Sequence, residues 1–197
     1  MRVHSRWFRR AASRGAPEVA GAMAFITWRV ARSMLARMRK AGFTLDAGPR
    51  YFDFVAEALA FAIQVAWRVA RERMDEAARD AFIHAIATRS AAILADNQSE
   101  LLGEEASGAI EAQFIARLNL RFEEYAQFAH GPEGPDFAFL RYFASLVRDL
   151  APESDRPWVH DQVIAIEGPE AAATVARALV DLLDESPPPR RAASSAA

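Results

Sequence analysis

Apolar side chains recur three and four residues apart along nearly the whole chain, and proline and glycine fall mostly between the periodic stretches. This spacing lines apolar residues along one stripe of an α-helix, and the alternating pattern of a half-buried strand is missing. Such a chain can bury its apolar surface only by packing helix on helix. The expected fold is therefore all-α, a single multi-helix bundle of about six or seven helices. With 197 residues, one domain can bury roughly 70% of the surface its extended chain exposes, so one core suffices.

The first helix is expected to start near Pro17 and stop at Gly42, after the cationic run Arg37-Met38-Arg39-Lys40, since positive charge is favourable at the carbonyl end of a helix. Asp46 and Pro49 open a second helix through about Arg73. It is apolar around most of its circumference, with a narrow polar stripe of Asp53, Glu57, Gln64 and Arg68 or Arg71, and so is the candidate for the buried central helix. Asp75 caps a third, with Phe82, Ile83, Ile86, Ser90, Ile93 and Leu94 inward and its end at Leu101-Leu102-Gly103. A fourth is expected over 107–129, with Ile110, Phe114, Leu118, Phe122 and Tyr125 inward, before the break at Gly131-Pro132-Glu133-Gly134-Pro135. Asp136 begins a fifth, ending at Leu150. A short sixth over 158–167 meets Gly168-Pro169, and Pro169 starts a seventh that carries Val175, Leu179, Leu182 and Leu183.

Charge divides the chain unevenly. Residues 1–40 hold ten basic side chains and one acid, Glu18, while 41–197 hold fourteen basic and twenty-five acidic; net charges of +9 and −11 give the total of −2. The expected division is a basic flexible leader over 1–16, the helical domain over 17–185, and a disordered Pro/Ala/Ser tail with nothing to bury over 186–197. The leader opens like a secretory signal, but the apolar run after it passes straight into Arg29 and Arg32 without a small-residue cleavage site. No stretch reaches the ~20 apolar residues of a membrane span. The expected compartment is cytoplasmic.

Catalytic signatures are scarce. There is no cysteine, hence no disulfide, thiolate metal site or thiol nucleophile. No phosphate-cradling glycine loop and no Gly-x-Ser-x-Gly elbow occurs. Neither a cofactor nor a metal is implied, since the four histidines are scattered and no Glu-x-x-His pair is present. Asp80 and His84, four apart, share a helix flank and are expected at its solvated surface.

Two features stand out as candidate sites. Arg121 falls inside the apolar arc of the fourth helix, defined by Phe114, Leu118, Tyr125 and Phe128. A buried arginine must be paired, so Asn119, Arg121, Glu124 and Tyr125 form a candidate cluster for a carboxylate or phosphate; the competing reading is a structural ion pair with Asp53 or Glu57 of the central helix. Arg29, Arg32, Arg39 and Lys40, preceded by Arg6, Arg9 and Arg10, form a basic surface opposite Val19, Met23, Ile26, Val30 and Met34. The leading expectation is a non-enzymatic helical protein that binds another protein. The alternatives are a small-anion-binding or catalytic bundle centred on Arg121, and association with a membrane surface or nucleic acid through residues 1–40. The oligomeric state is not set by the sequence.

Overall fold

The computed structural model describes residues 16–45, 48–103 and 107–184. The expectations for Arg6, Arg9 and Arg10 in the leader, for Asp46 and for the tail lie outside the described residues. Seven α-helical segments make up the rest: α1 (Ala16–Lys40), α2 (Pro49–Arg73), α3 (Glu76–Leu102), α4 (Ser107–Tyr125), α5 (Phe137–Leu150), α6 (Arg156–Gln162) and α7 (Gly168–Asp184). The chain is an all-α bundle.

Local chemistry sets several of the helix ends. The carboxylate of Asp75 accepts a 2.8 Å hydrogen bond from the Ala78 amide and opens α3, and Asp136 does the same for α5 through the Phe139 amide at 2.7 Å. Each cap satisfies a donor that the first turn leaves without a partner. Gly103 ends α3 at φ 69°, a left-handed conformation that glycine adopts without a Cβ penalty.

Because α2 is apolar nearly all round, it can be stable only when covered on every side. Its neighbours succeed one another as α5, α7, α1, α3 and α4. Phe54, Leu59, Phe61, Ile63 and Val65 are fully buried in the resulting core. Phe61 stacks on Phe143 at 4.2 Å and meets the edge of Phe139 at 5.7 Å, which fixes α5 against α2. Short connections make α1 and α3 antiparallel to α2, and so parallel to each other.

Two boundaries differ from the sequence reading. α4 ends at Tyr125, not near 129, and residues 130–135 form a small antiparallel pairing, His130 with Pro135 and Gly131 with Gly134. Gly168-Pro169 does not separate two helices. α6, a π-helical turn over Val163–Glu167 and α7 run on without a break. A proline inside a helix lacks its amide donor and crowds the carbonyl four residues back. The wider π turn re-registers the backbone just ahead of Pro169, with the Gly168 amide bonding the Val163 carbonyl, so the helix continues.

The same turn leaves no room at Gly168. A Cβ there would lie 2.8 Å from Leu140 Cδ2 and 2.9 Å from the Val163 carbonyl oxygen. Gly168→Ala is therefore expected to destabilise the protein by about 1–3 kcal/mol, the usual range for overpacking, and to lower Tm by several degrees. An unchanged Tm would mean that α5 does not press on the π turn.

Candidate functional site: the polar seam along the central helix

α4 and α5 both pack on α2, but they meet each other chiefly through side chains. Asp53, Glu57, Gln64 and Arg68 advance along α2 by four, seven and four residues, which keeps them on one line facing this seam. The polar stripe is thus the part of α2 that no helix backbone covers.

α4 runs parallel to α2 and supplies partners at matching heights. Arg117 Nη2 donates to Asp53 Oδ1 at 2.7 Å. One turn on, Arg121 grips Glu57 bidentately, Nε to Oε2 at 2.8 Å and Nη2 to Oε1 at 2.7 Å. Its remaining nitrogen, Nη1, donates to Glu124 Oε2 at 2.5 Å and to Tyr142 Oη at 3.3 Å, and Tyr142 Oη donates in turn to Glu124 Oε2. Higher still, Arg68 Nη2 donates to the Tyr125 carbonyl at 2.8 Å. The side chains of Glu57 and Arg121 are 6% and 12% exposed, so this pair is the inner, dry end of a network that opens to water at Asp53, Arg117 and Glu124.

The electrostatics follow from that gradient. Hydrogen bonding to Glu57 outweighs the cost of burial and holds the Arg121 guanidinium firmly protonated. For Glu124, burial opposes the charge, but hydrogen bonds from Tyr142 and Arg121 prevail and keep its carboxyl below the ordinary value. Burial pushes the phenols of Tyr125 and Tyr142 up, and neighbouring carboxylates add to the shift. Glu124 and both phenols are thereby moved away from neutrality, where a general acid or base works best. The geometry holds α4 and α5 on α2 through charge-assisted hydrogen bonds.

The structure brings together Asp53, Glu57, Arg121, Glu124 and Tyr125 from the sequence-level candidates. Asn119 is exposed and takes no part. Tyr142, absent from the candidates, completes the cluster from α5. Tyr125 is fully buried, and its hydroxyl has no partner among the described residues; the same is true of Gln64 Nε2. Asp80 and His84 are both exposed, and the described residues contain no cluster of three or more metal-ligating side chains.

His130 sits where the seam closes, with neither ring nitrogen hydrogen-bonded among the described residues. Burial lowers its pKa from the usual 6.5, the Arg68 charge lowers it further, and Glu72 partly opposes both. The unfolded chain therefore binds the proton more readily than the folded one. Stability is expected to be fully present above about pH 6.5 and to fall as the pH drops through that value toward the lower folded pKa. His130→Leu should flatten this part of a Tm-against-pH curve; an unaltered curve would place the acid sensitivity elsewhere.

On the outside, Arg29, Arg32, Arg39 and Lys40 are all exposed along α1. Arg39 Nη2 donates to the Leu45 carbonyl at 2.6 Å and its guanidinium covers the Tyr51 ring, so it pins the connection to α2. Arg29 lies over the ring of Phe25, which is 56% exposed. Val19, Met23 and Met34, on the opposite side, are in the core, with Ile26 and Val30 packed at its margin. Among the described residues, no helix is long and apolar enough to cross a membrane. Compared with protein-family models, with curated proteins and with solved structures, the chain finds no match in any of the three.

Proposed function

We propose that this chain is a non-enzymatic helical module that works by binding another protein, with the outer face of α1 as its contact surface. One observation carries the reading: Arg29, Arg32 and Lys40 stand exposed along α1 without an acidic partner among the described residues, and Arg29 lies over the exposed ring of Phe25. Arg121, the other candidate, has its donors engaged by Glu57, Glu124 and Tyr142. An exposed aromatic ring with an arginine over it suits a protein interface. A bilayer would need the apolar side of α1, and Val19, Met23, Met34 and Met38 already serve the core.

The test is flotation with vesicles rich in anionic lipid, and filter binding with duplex DNA, both at low salt and on the full chain. Neither is expected to capture the protein. Capture that disappears in an Arg29→Glu/Arg32→Glu variant would replace this reading with membrane or nucleic-acid association. A small anion retained in native mass spectrometry, and lost on Arg121→Ala, would replace it with the ligand-binding reading.

A further inference from the structure

α1 and α3 lie side by side and run in the same direction, and Gly21 of α1 abuts the guanidinium of Arg89 of α3. Because the far end of the Arg89 side chain makes that contact, it sets the register to within about a turn, and equal steps along both helices preserve it. Phe25 then lies near the height of Ile93, and Arg29 and Arg32 near that of Asp96 and Glu100. On α1, Glu18, Phe25, Arg29 and Arg32 fall on one outward line at helical spacing; on α3, Arg89, Asp96 and Glu100 do the same, with Ile93 between them half-buried against the core. All the charged members are exposed, and none has an ion pair among the described residues.

The signs change together. Where α1 carries Glu18, α3 carries Arg89; past the apolar rung of Phe25 and Ile93, α1 becomes positive with Arg29 and Arg32 while α3 becomes negative with Asp96 and Glu100. A flank with this pattern is complementary to itself. A two-fold axis parallel to the helices lays α1 of one copy over α3 of the other at the same height, so that every charged rung meets its opposite, twice by symmetry. Phe25 of each copy meets Ile93 of the other.

Resting on the protein-binding reading above, we propose that the partner of the α1 face is a second copy of this chain, docked through the α1–α3 flank as a two-fold dimer. In this register residues 16–34 of α1 lie beside 84–102 of α3, which gives a two-helix face about 28 Å long and about 20 Å wide, roughly 570 Å² per copy, the size of a weak, reversible interface.

Sedimentation equilibrium of the full chain up to ~100 μM tests this directly. The mass should be that of a dimer at low salt, with association weakened about tenfold or more near 0.5 M salt. Arg29→Glu/Arg32→Glu makes the flank nearly all negative, and Asp96→Arg/Glu100→Arg makes it nearly all positive. Each variant alone should be monomeric with an unchanged Tm, since only exposed positions are altered, and an equimolar mixture of the two should restore the dimer. The milder Arg29→Gln/Arg32→Gln should weaken association without abolishing folding. A wild-type chain that stays monomeric at every concentration, a dimer that survives in both reversal variants, or a mixture that does not reassociate would each overturn the proposal. A monomer that ignores vesicles and DNA would still leave the protein-binding reading standing, whereas capture by either would remove that reading whatever the assembly state.

Discussion

Val65→Asp is expected to leave the chain without a cooperative thermal transition, whereas Ala112→Asp, the same charge at an exposed position of α4, should shift Tm by a few degrees at most. Val65 has no solvent-accessible surface and lies on α2, which five other helices surround. A carboxylate there would have no water, and its nearest cation along the helix, Arg68, is already bonded to the Tyr125 carbonyl. Even after relaxation, an unpaired buried ion costs several kcal/mol, and the lost valine contacts add to that. Domains of this kind are stable by about 5–15 kcal/mol in total, so one such change consumes most of the margin. Circular dichroism melts decide the matter. A Val65→Asp protein that melts near the wild-type temperature would mean that α2 is not the enclosed centre of the bundle.

The central place of α2 was legible because it follows from composition on a helical wheel. A segment apolar on nearly every side has no stable position except inside, and its polar line of Asp53, Glu57, Gln64 and Arg68 marks where the cover is thinnest. The caps at Asp75 and Asp136 were legible for the same reason, since the chemistry lies within one turn of chain. The run from α6 into α7 was not. Gly168-Pro169 is a strong local stop signal, and what overrides it is distant: α5 presses Leu140 against the glycine, and the π turn carries Glu167 to a 2.6 Å ion pair with Arg37 of α1. A buried carboxylate tied to a helix 130 residues earlier leaves no trace in local spacing.

The polar seam was half legible. Arg121 betrays itself by standing in an apolar arc, and the acids of α2 were the natural partners to suggest. Asn119 was grouped with it by nearness in sequence, yet residues two apart on a helix point in nearly opposite directions. Tyr142 lies on another helix, and only the topology brings its hydroxyl to Glu124. Of the buried polar atoms left without partners among the described residues, Gln64 Nε2 and the Tyr125 hydroxyl lie on the same side of their helices as the filled rungs.

Arg121→Ala should destabilise the protein by about 3 kcal/mol or more, because it takes away the bidentate partner of a buried carboxylate and leaves Glu57 only the longer, 3.7 Å contact with Arg117. For a chain of this length each kcal/mol corresponds to roughly 2–4 °C, so Tm should fall by about 6 °C or more. Glu57→Leu should also be costly, since Nε and Nη2 of the buried guanidinium lose their acceptors and Arg121 keeps only Glu124 and Tyr142 through Nη1. The informative variant is the double, Glu57→Leu/Arg121→Met. It removes both charges and keeps apolar volume on each side of the seam, so neither partner is left stranded. Glu124 and Tyr142 lose a neighbour but keep each other and, at 33% exposure of the Glu124 side chain, also keep water. The double variant is expected to recover most of the loss, giving a coupling energy of opposite sign to the two single effects, which is the signature of an interaction whose breakage costs more than its absence. Singles that leave Tm unchanged would show the pair to be solvated in solution and α4 to be held by its apolar face alone. A double variant no more stable than the worse single would mean that the pair aligns α4 and α5 in a way that leucine and methionine cannot reproduce.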